Sequence, residues 1–196
     1  MKRGGARAPR GEVRIISGIW RSRRLVFPAS KDLRPTPDRV RETVFNWLTP
    51  HLSGATCLDL FAGSGVFGLE ALSRGAARAV LVEKHLEVAA ALRHNREQLK
   101  AEQAEIVHAD AVTYLRGPAA AFDIVFLDPP YASDLLAPCL ELLDTRGWLK
   151  PDALIYLEAP SGGAPSLPEG WQLLRSKTAG QVGYHLARRT KNEEAR

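Results

Sequence analysis

Leu58-Asp59-Leu60-Phe61-Ala62-Gly63-Ser64-Gly65-Val66-Phe67-Gly68 joins a short apolar run to a helical one, and its reading decides the fold. Residues 56–60 predict a buried strand, the glycines a tight connection, and residues 66–74 a helix. The same unit recurs outward from there. Strands are predicted at 79–83, 104–108, 122–127 and 153–158, with helices at 85–100, 110–116 and 133–145 between them. Such alternation predicts a parallel, doubly wound sheet with right-handed crossovers. After a Pro/Gly-rich loop at 160–170, residues 171–177 and 182–188 read as an antiparallel hairpin. The expected fold is α/β and Rossmann-like, mostly parallel and closed by that hairpin.

Upstream, residues 12–16 and 23–27 read as two short strands around a turn at Ser17–Ser22. Thr36 is a candidate N-cap, with Pro37 opening a helix that runs to Leu48. Val40, Val44, Phe45, Trp47 and Leu48 give that helix an apolar face. The expected organisation is a basic flexible tail (1–11), an N-terminal hairpin and helix extension (12–50), a catalytic domain (51–190) and a short flexible tail (191–196).

A chain of 196 residues, 45% hydrophobic and 25% charged, suits one globular domain with an extension. No apolar run approaches the roughly 20 residues that span a bilayer. The basic N-terminus lacks the apolar stretch of a secretory signal. Cys57 and Cys139 are far apart and outside any Cys-x-x-Cys spacing, so neither a disulfide nor a zinc framework is expected, and a reducing cytoplasm is. Charge is uneven. Residues 1–41 hold 12 Lys and Arg against three acids, whereas the rest holds 15 basic and 19 acidic residues. A basic arm on a mildly acidic body predicts a polyanionic partner.

Gly63, Gly65 and Gly68 match the G-x-G-x-x-G pattern of dinucleotide sites, so an NAD enzyme competes with a methyltransferase. Electrostatics separates them. Asp59, four residues before Gly63, would repel a pyrophosphate but attract the cationic ammonium of S-adenosylmethionine. Phe61, Ala62, Gly63, Ser64 and Gly65 would line the amino-acid end of that cofactor. Glu83 ends the second strand, where an acid can accept from both ribose hydroxyls. Asp110 can accept from the adenine amine, and the Ala111 N–H can donate to a ring nitrogen. Glu83 and Asp110 read equally well, each alone, as helix caps or solvated strand ends. No histidine shows metal-ligand spacing, and no metal is expected.

Phe122–Leu127 leads into Asp128-Pro129-Pro130-Tyr131 at the carboxyl edge of the sheet, where open α/β sheets bind ligands. Asp128 and the Pro129 carbonyl can accept the two hydrogens of a planar exocyclic amine, and Tyr131 can stack on its ring. The nitrogen lone pair is then drawn out of conjugation toward an electrophilic methyl. Asp128 need not take the proton first, because the alkylated ammonium is acidic and loses it late.

Here the chain resembles a known family. Asp128–Tyr131 is similar to the D/N-P-P-Y/F motif of methyltransferases acting on exocyclic amines in DNA, RNA and protein. Arg14–Leu25 resembles the R-I-I-x-G-x-W-R-x-R-x-L opening of the RsmD family, and Arg34–Leu48 its block R-P-T-x-D-R-V-R-E-x-x-F-N-x-L. The resemblance covers about residues 13–188. It implies S-adenosylmethionine-dependent methylation of the N2 amine of one guanine in 16S ribosomal RNA near the P site. It implies Asp59, Gly63, Gly65, Glu83, Asp110 and Ala111 as cofactor contacts and Asp128, Pro129 and Tyr131 as the amine clamp. Thr36 would cover the methionine end of the cofactor, a role that competes with helix capping.

Arg14, Trp20, Arg21, Arg23, Arg24 and Arg34 form the candidate RNA surface, cations for phosphate and an aromatic for a base. Trp20 reads equally as core of the small hairpin. Arg39 and Arg41 cannot share one helix face, so one of them is expected to pair with an acid. The expected partner is 16S ribosomal RNA, within a 30S particle or an assembly intermediate, met by a monomer. The rival readings are a DNA adenine-N6 methyltransferase and a non-catalytic ribosome-assembly factor with a vestigial cofactor site.

Overall fold

In the computed structural model, which describes residues 10–29, 36–130, 133–163 and 165–190, an antiparallel pair β1 (Arg10–Arg14) and β2 (Arg24–Pro28) precedes helix α1 (Asp38–Leu52). Alternation then begins with β3 (Thr56–Asp59), α2 (Val66–Ser73), β4 (Arg78–Glu83) and α3 (Leu86–Leu99). It continues through β5 (Ala104–His108), α4 (Ala111–Leu115), β6 (Phe122–Leu127), α5 (Leu136–Thr145) and β7 (Leu149–Pro160). A hairpin, β8 (Trp171–Ala179) and β9 (Val182–Arg189), ends the described chain.

The large sheet has the order β5-β4-β3-β6-β7-β9-β8. β3 to β7 run parallel, and β9 pairs antiparallel with both β7 and β8. Strand order reverses between β3 and β6, so their carboxyl ends flank the crevice in which such sheets bind ligands. The expected parallel core and closing hairpin are both present.

Alternation along β6 and β7 feeds two cores, as period-2 side chains must. Val125, Leu127, Ile155 and Leu157 pack toward α4 and α5, whereas Ile124, Phe126, Leu154 and Tyr156 face the other way; Phe122 joins the first set because the register shifts between it and Ile124. That second face also takes Val13, Leu25 and Phe27 from the β1–β2 pair, Ile15 just past β1, and Val44, Phe45 and Leu48 from α1. The N-terminal extension therefore shares a core with the sheet. Phe45, Phe67, Phe126 and Tyr156 form an aromatic cluster at this seam, with centroids 5.0–6.3 Å apart.

Two local expectations are corrected. Thr36 does not cap α1: Pro37 holds the cap position with φ −55° and ψ 145° and no side-chain cap bond, and Asp38 is the first helical residue. The Thr36 hydroxyl is committed elsewhere, donating to Glu158 Oε1 at 3.0 Å. The helix also runs past Leu48 and through Pro50. Proline there forfeits one backbone bond, but the extra turn buries Leu52 to 2% exposure.

Candidate active site

Acids stand at the carboxyl ends of five neighbouring parallel strands. Across the sheet they are Asp110 after β5, Glu83 on β4, Asp59 on β3, Asp128 after β6 and Glu158 on β7. Four of these are the acids read from the sequence; Glu158 was missed. Its signal was present, because Leu157-Glu158 ends its apolar run as Val82-Glu83 ends its own.

The glycine loop is pinned to both strands beside it. Leu60 N donates to Phe126 O at 3.1 Å, and Ala62 N to Val82 O at 2.9 Å. Gly65 caps α2 with φ +78°, a left-handed conformation that glycine adopts without strain, and a Cβ there would lie 2.5 Å from Leu92 Cδ2. Ala62, Gly63 and Ser64 are buried and Phe61 is half-buried. Asp59 lies beneath the loop, 3% exposed, with Oδ2 accepting from Gly68 N at 3.0 Å. Burial, opposed by that bond and assisted by the charge of Glu83, raises its pKa to about 7.

Both oxygens of Glu83 take backbone donors: Oε2 from Gly63 N at 3.0 Å and Oε1 from His85 N at 2.7 Å. The acid thus ties the glycine loop to the start of α3, and each oxygen keeps a lone pair for a ribose hydroxyl. Asp110 is exposed and caps α4, its Oδ1 accepting from Thr113 N at 3.1 Å. Capping and cofactor contact are compatible there, since one oxygen serves the helix. Ala111 is buried as the first residue of α4.

Asp128 is half-buried, and its carboxyl is held well above its ordinary range by burial, then by the charges of Glu158 and Asp59. Glu158 is raised as well, chiefly by burial and against two hydrogen bonds. Those bonds come from Tyr156 Oη at 2.6 Å and Thr36 Oγ1 at 3.0 Å, both on Oε1. After Pro129 the chain turns, with the Pro130 carbonyl accepting from Ser133 N and Oγ at 2.9 and 2.7 Å. Among the described residues no donor occupies the Pro129 carbonyl, so it is available to an amine. Tyr131 lies outside the described residues, as does Arg34.

Asp59, sealed beneath the glycine loop with its pKa raised by burial, creates a site that a cation relieves. A sulfonium carrying an ammonium group meets that demand, whereas a pyrophosphate would aggravate it. S-adenosylmethionine therefore fits the residues present: Asp59 lies beneath the glycine loop, and Glu83 and Asp110 stand at the carboxyl ends of the next two strands.

The candidate RNA residues are placed less uniformly. Arg14, Arg21, Arg23 and Arg24 are all exposed. Arg14 pairs with Asp38 at 2.9 Å, Arg24 with Glu12 at 3.0 Å, and Arg23 donates to Gln98 O at 2.9 Å. Such exposed contacts are worth little and exchange readily for phosphate. Trp20 is half-buried against the core, its N donating to Ser73 Oγ at 3.0 Å, and the exposed apolar residue beside it is Ile19 at 79%. Of the two helix arginines, Arg41 is the one that pairs among the described residues, and it is fully buried. It reaches Asp38 at 2.6 Å, Glu70 at 3.5 Å and the carbonyls of Thr36 and Arg14 at 3.2 and 3.1 Å. Glu70, also sealed from solvent, accepts from Ile16 N, Ser17 N and Arg74 Nε at 2.7–2.9 Å.

The family model described as "Conserved hypothetical protein 95" matches residues 13–188. The "Ribosomal RNA small subunit methyltransferase D" of Escherichia coli (strain K12) is 48% identical over 186 residues, 94% of each chain. The protein of the same name from Haemophilus influenzae is 47% identical over 181 residues, 90% of this chain and 94% of that one. A solved Escherichia coli structure, 48% identical, superposes with a TM-score of 0.85 over 92% of this chain and 99% of that one. The Thermus thermophilus 16S rRNA N2 G1207 methyltransferase, in complex with AdoMet and guanosine, shares the fold at 22% identity, with a TM-score of 0.66 over 93% of this chain and 50% of that one.

Proposed function

The chain belongs to the family of "Conserved hypothetical protein 95", in which the small-subunit methyltransferases D fall, and from that we infer that it methylates the N2 amine of a guanine in 16S ribosomal RNA with S-adenosylmethionine as donor. One observation carries the chemistry. Asp128-Pro129 lies at the carboxyl end of β6, next to the glycine loop that follows β3, where the strand order reverses. Amine clamp and cofactor loop therefore share one crevice.

The bound cofactor supplies an electrophilic methyl group on sulfur. Asp59 balances its positive charge from below the loop, and Glu83 and Asp110 orient its far end. Asp128 accepts one hydrogen of the target amine and the Pro129 carbonyl the other, which fixes the nitrogen and localises its lone pair. After transfer the proton leaves the nitrogen for Asp128 or water. Exposed Arg14, Arg21, Arg23 and Arg24, with Trp20, would hold the RNA, and a monomer carries every group named. The natural substrate would be a 30S particle or an assembly intermediate in the cytoplasm, with the target near the P site.

The deciding experiment is transfer of labelled methyl groups from S-adenosylmethionine to ribosomal particles of a strain lacking the gene, followed by mapping of the modified nucleotide. Label on the N2 of one small-subunit guanine is expected. Label in DNA adenine, or no transfer at all, would overturn the reading.

A further inference from the structure

We propose that Glu158 reads the base: its carboxylate accepts the N1–H of the guanine whose N2 amine is held at Asp128, and so selects guanine over purines that present an unprotonated ring nitrogen there. The proposal rests on the guanine-N2 reading above and assigns a role to an acid that the amine clamp does not use.

Position comes first. Phe126 pairs with Tyr156 and Leu127 with Leu157 in the parallel β6–β7 ladder, so Asp128, just past the end of β6, and Glu158, on β7, follow those pairs at the same level. Both continue the face of Phe126 and Tyr156, by the period of two. Adjacent strands lie about 4.8 Å apart, the scale on which two carboxylates can meet neighbouring N–H groups of one base edge. The charge of Glu158 is also the strongest charge acting on Asp128.

Orientation comes next. The Tyr156 ring is packed 5.0 Å from Phe67 and 6.3 Å from Phe126, centroid to centroid, so its hydroxyl is a fixed donor to Glu158. Thr36 adds a second donor, and both fall on Oε1. Among the described residues no donor falls on Oε2. Glu158 is half-buried, so that oxygen belongs to a carboxylate held in place without being sealed off.

Base chemistry then decides the ligand. In guanine the N2 amine adjoins N1–H, a donor. In adenine the N6 amine adjoins N1 and N7, both acceptors. A carboxylate beside the amine clamp matches the first edge and sets lone pair against lone pair in the second. An acceptor covered by the bound base and left facing another acceptor loses its hydrogen bond outright, which is how a polar site rejects the wrong ligand.

The test uses semisynthetic small-subunit RNA, assembled into particles, with guanine or 2-aminopurine at the mapped target. 2-Aminopurine keeps the amine on C2 but has no proton on N1. Wild-type protein should favour guanine in kcat/KM by on the order of 100-fold. In Glu158→Gln the amide can turn its NH2 toward the bare N1, so the preference should fall at least about tenfold, with S-adenosylmethionine binding unchanged by calorimetry. If Glu158→Gln slows both substrates by one factor, Glu158 acts only through Thr36 or Asp128 and the proposal falls. Equal wild-type rates on the two substrates would also sink it, and that comparison needs no variant to fold. Absence of any methylated ribosomal guanine would instead defeat the underlying function, and this inference with it.

Discussion

Asp59 shows how one residue's burial becomes a functional handle. Its carboxyl is moved from about 3.8 when exposed to about 7 in the fold. Because the folded value is raised, its ionisation destabilises the cofactor-free protein, from nothing below pH 4 to the full amount above pH 7. Three units correspond to about 4 kcal/mol as an upper figure. His185, whose pKa burial lowers, acts in the opposite sense below its ordinary 6.5. The informative comparison is therefore Asp59→Asn against wild type: urea unfolding should show the variant's relative stability rising between pH 4 and 7 and staying level above it. A bound cation removes the penalty, so S-adenosylmethionine affinity in the wild type should rise through the same window and flatten in the variant. At the clamp, Asp128→Ala should lower methyl transfer by about 10²–10³-fold or more while calorimetry finds cofactor binding largely kept. Asp128→Asn should lose less, since its amide oxygen still accepts.

At the scale of elements, the decisive contact joins α1 to α2. Arg41 and Glu70 are both fully buried, 3.5 Å apart, and each also holds backbone of the N-terminal segment. Removing one partner of such a pair leaves a buried charge uncompensated. Arg41→Ala should cost about 3 kcal/mol in urea unfolding, at the low end because Arg74 still pairs with Glu70 at 2.7 Å. It should also slow methyl transfer, since Arg41 holds the carbonyl of Thr36, whose hydroxyl reaches Glu158. The hairpin loop docks in the same place. Ile19 N donates to Ser73 O at 2.8 Å, and Gly18, with φ +84°, passes so close to that carbonyl that a Cβ there would collide with it.

For the whole molecule, charge is divided between a basic N-terminal segment and a site lined with acids. Arg21 and Arg23 sit on the exposed edge of the extension, which shares its core with the sheet next to the site. Binding to ribosomal particles should weaken with salt, and Arg21→Ala should reduce the log–log salt slope by about 1. Filter binding at several salt concentrations measures this, and S-adenosylmethionine affinity should not move. A slope unchanged by the substitution would remove Arg21 from the RNA surface.

The sequence by itself determined the strand–helix alternation and hence the parallel sheet. It also determined the acids that end apolar runs, Asp59, Glu83, Asp110 and Asp128, because strand period and strand-end position are local properties. The hairpin strands were legible to within two residues for the same reason. Only the tertiary structure decided that Thr36 serves Glu158, 122 positions away, and not its own helix. Only it decided that Arg41 is interior, against the usual exposure of arginine, because Glu70, Asp38 and two carbonyls satisfy its charge there. Glu158 belongs with these. Its residue type and strand-end position were visible, but its value comes from lying beside Asp128 across a ladder, with a hydroxyl fixed by an aromatic cluster drawn from four separate elements. Long-range pairing brings such groups together, and no local pattern in the chain records which distant partner a polar group will meet.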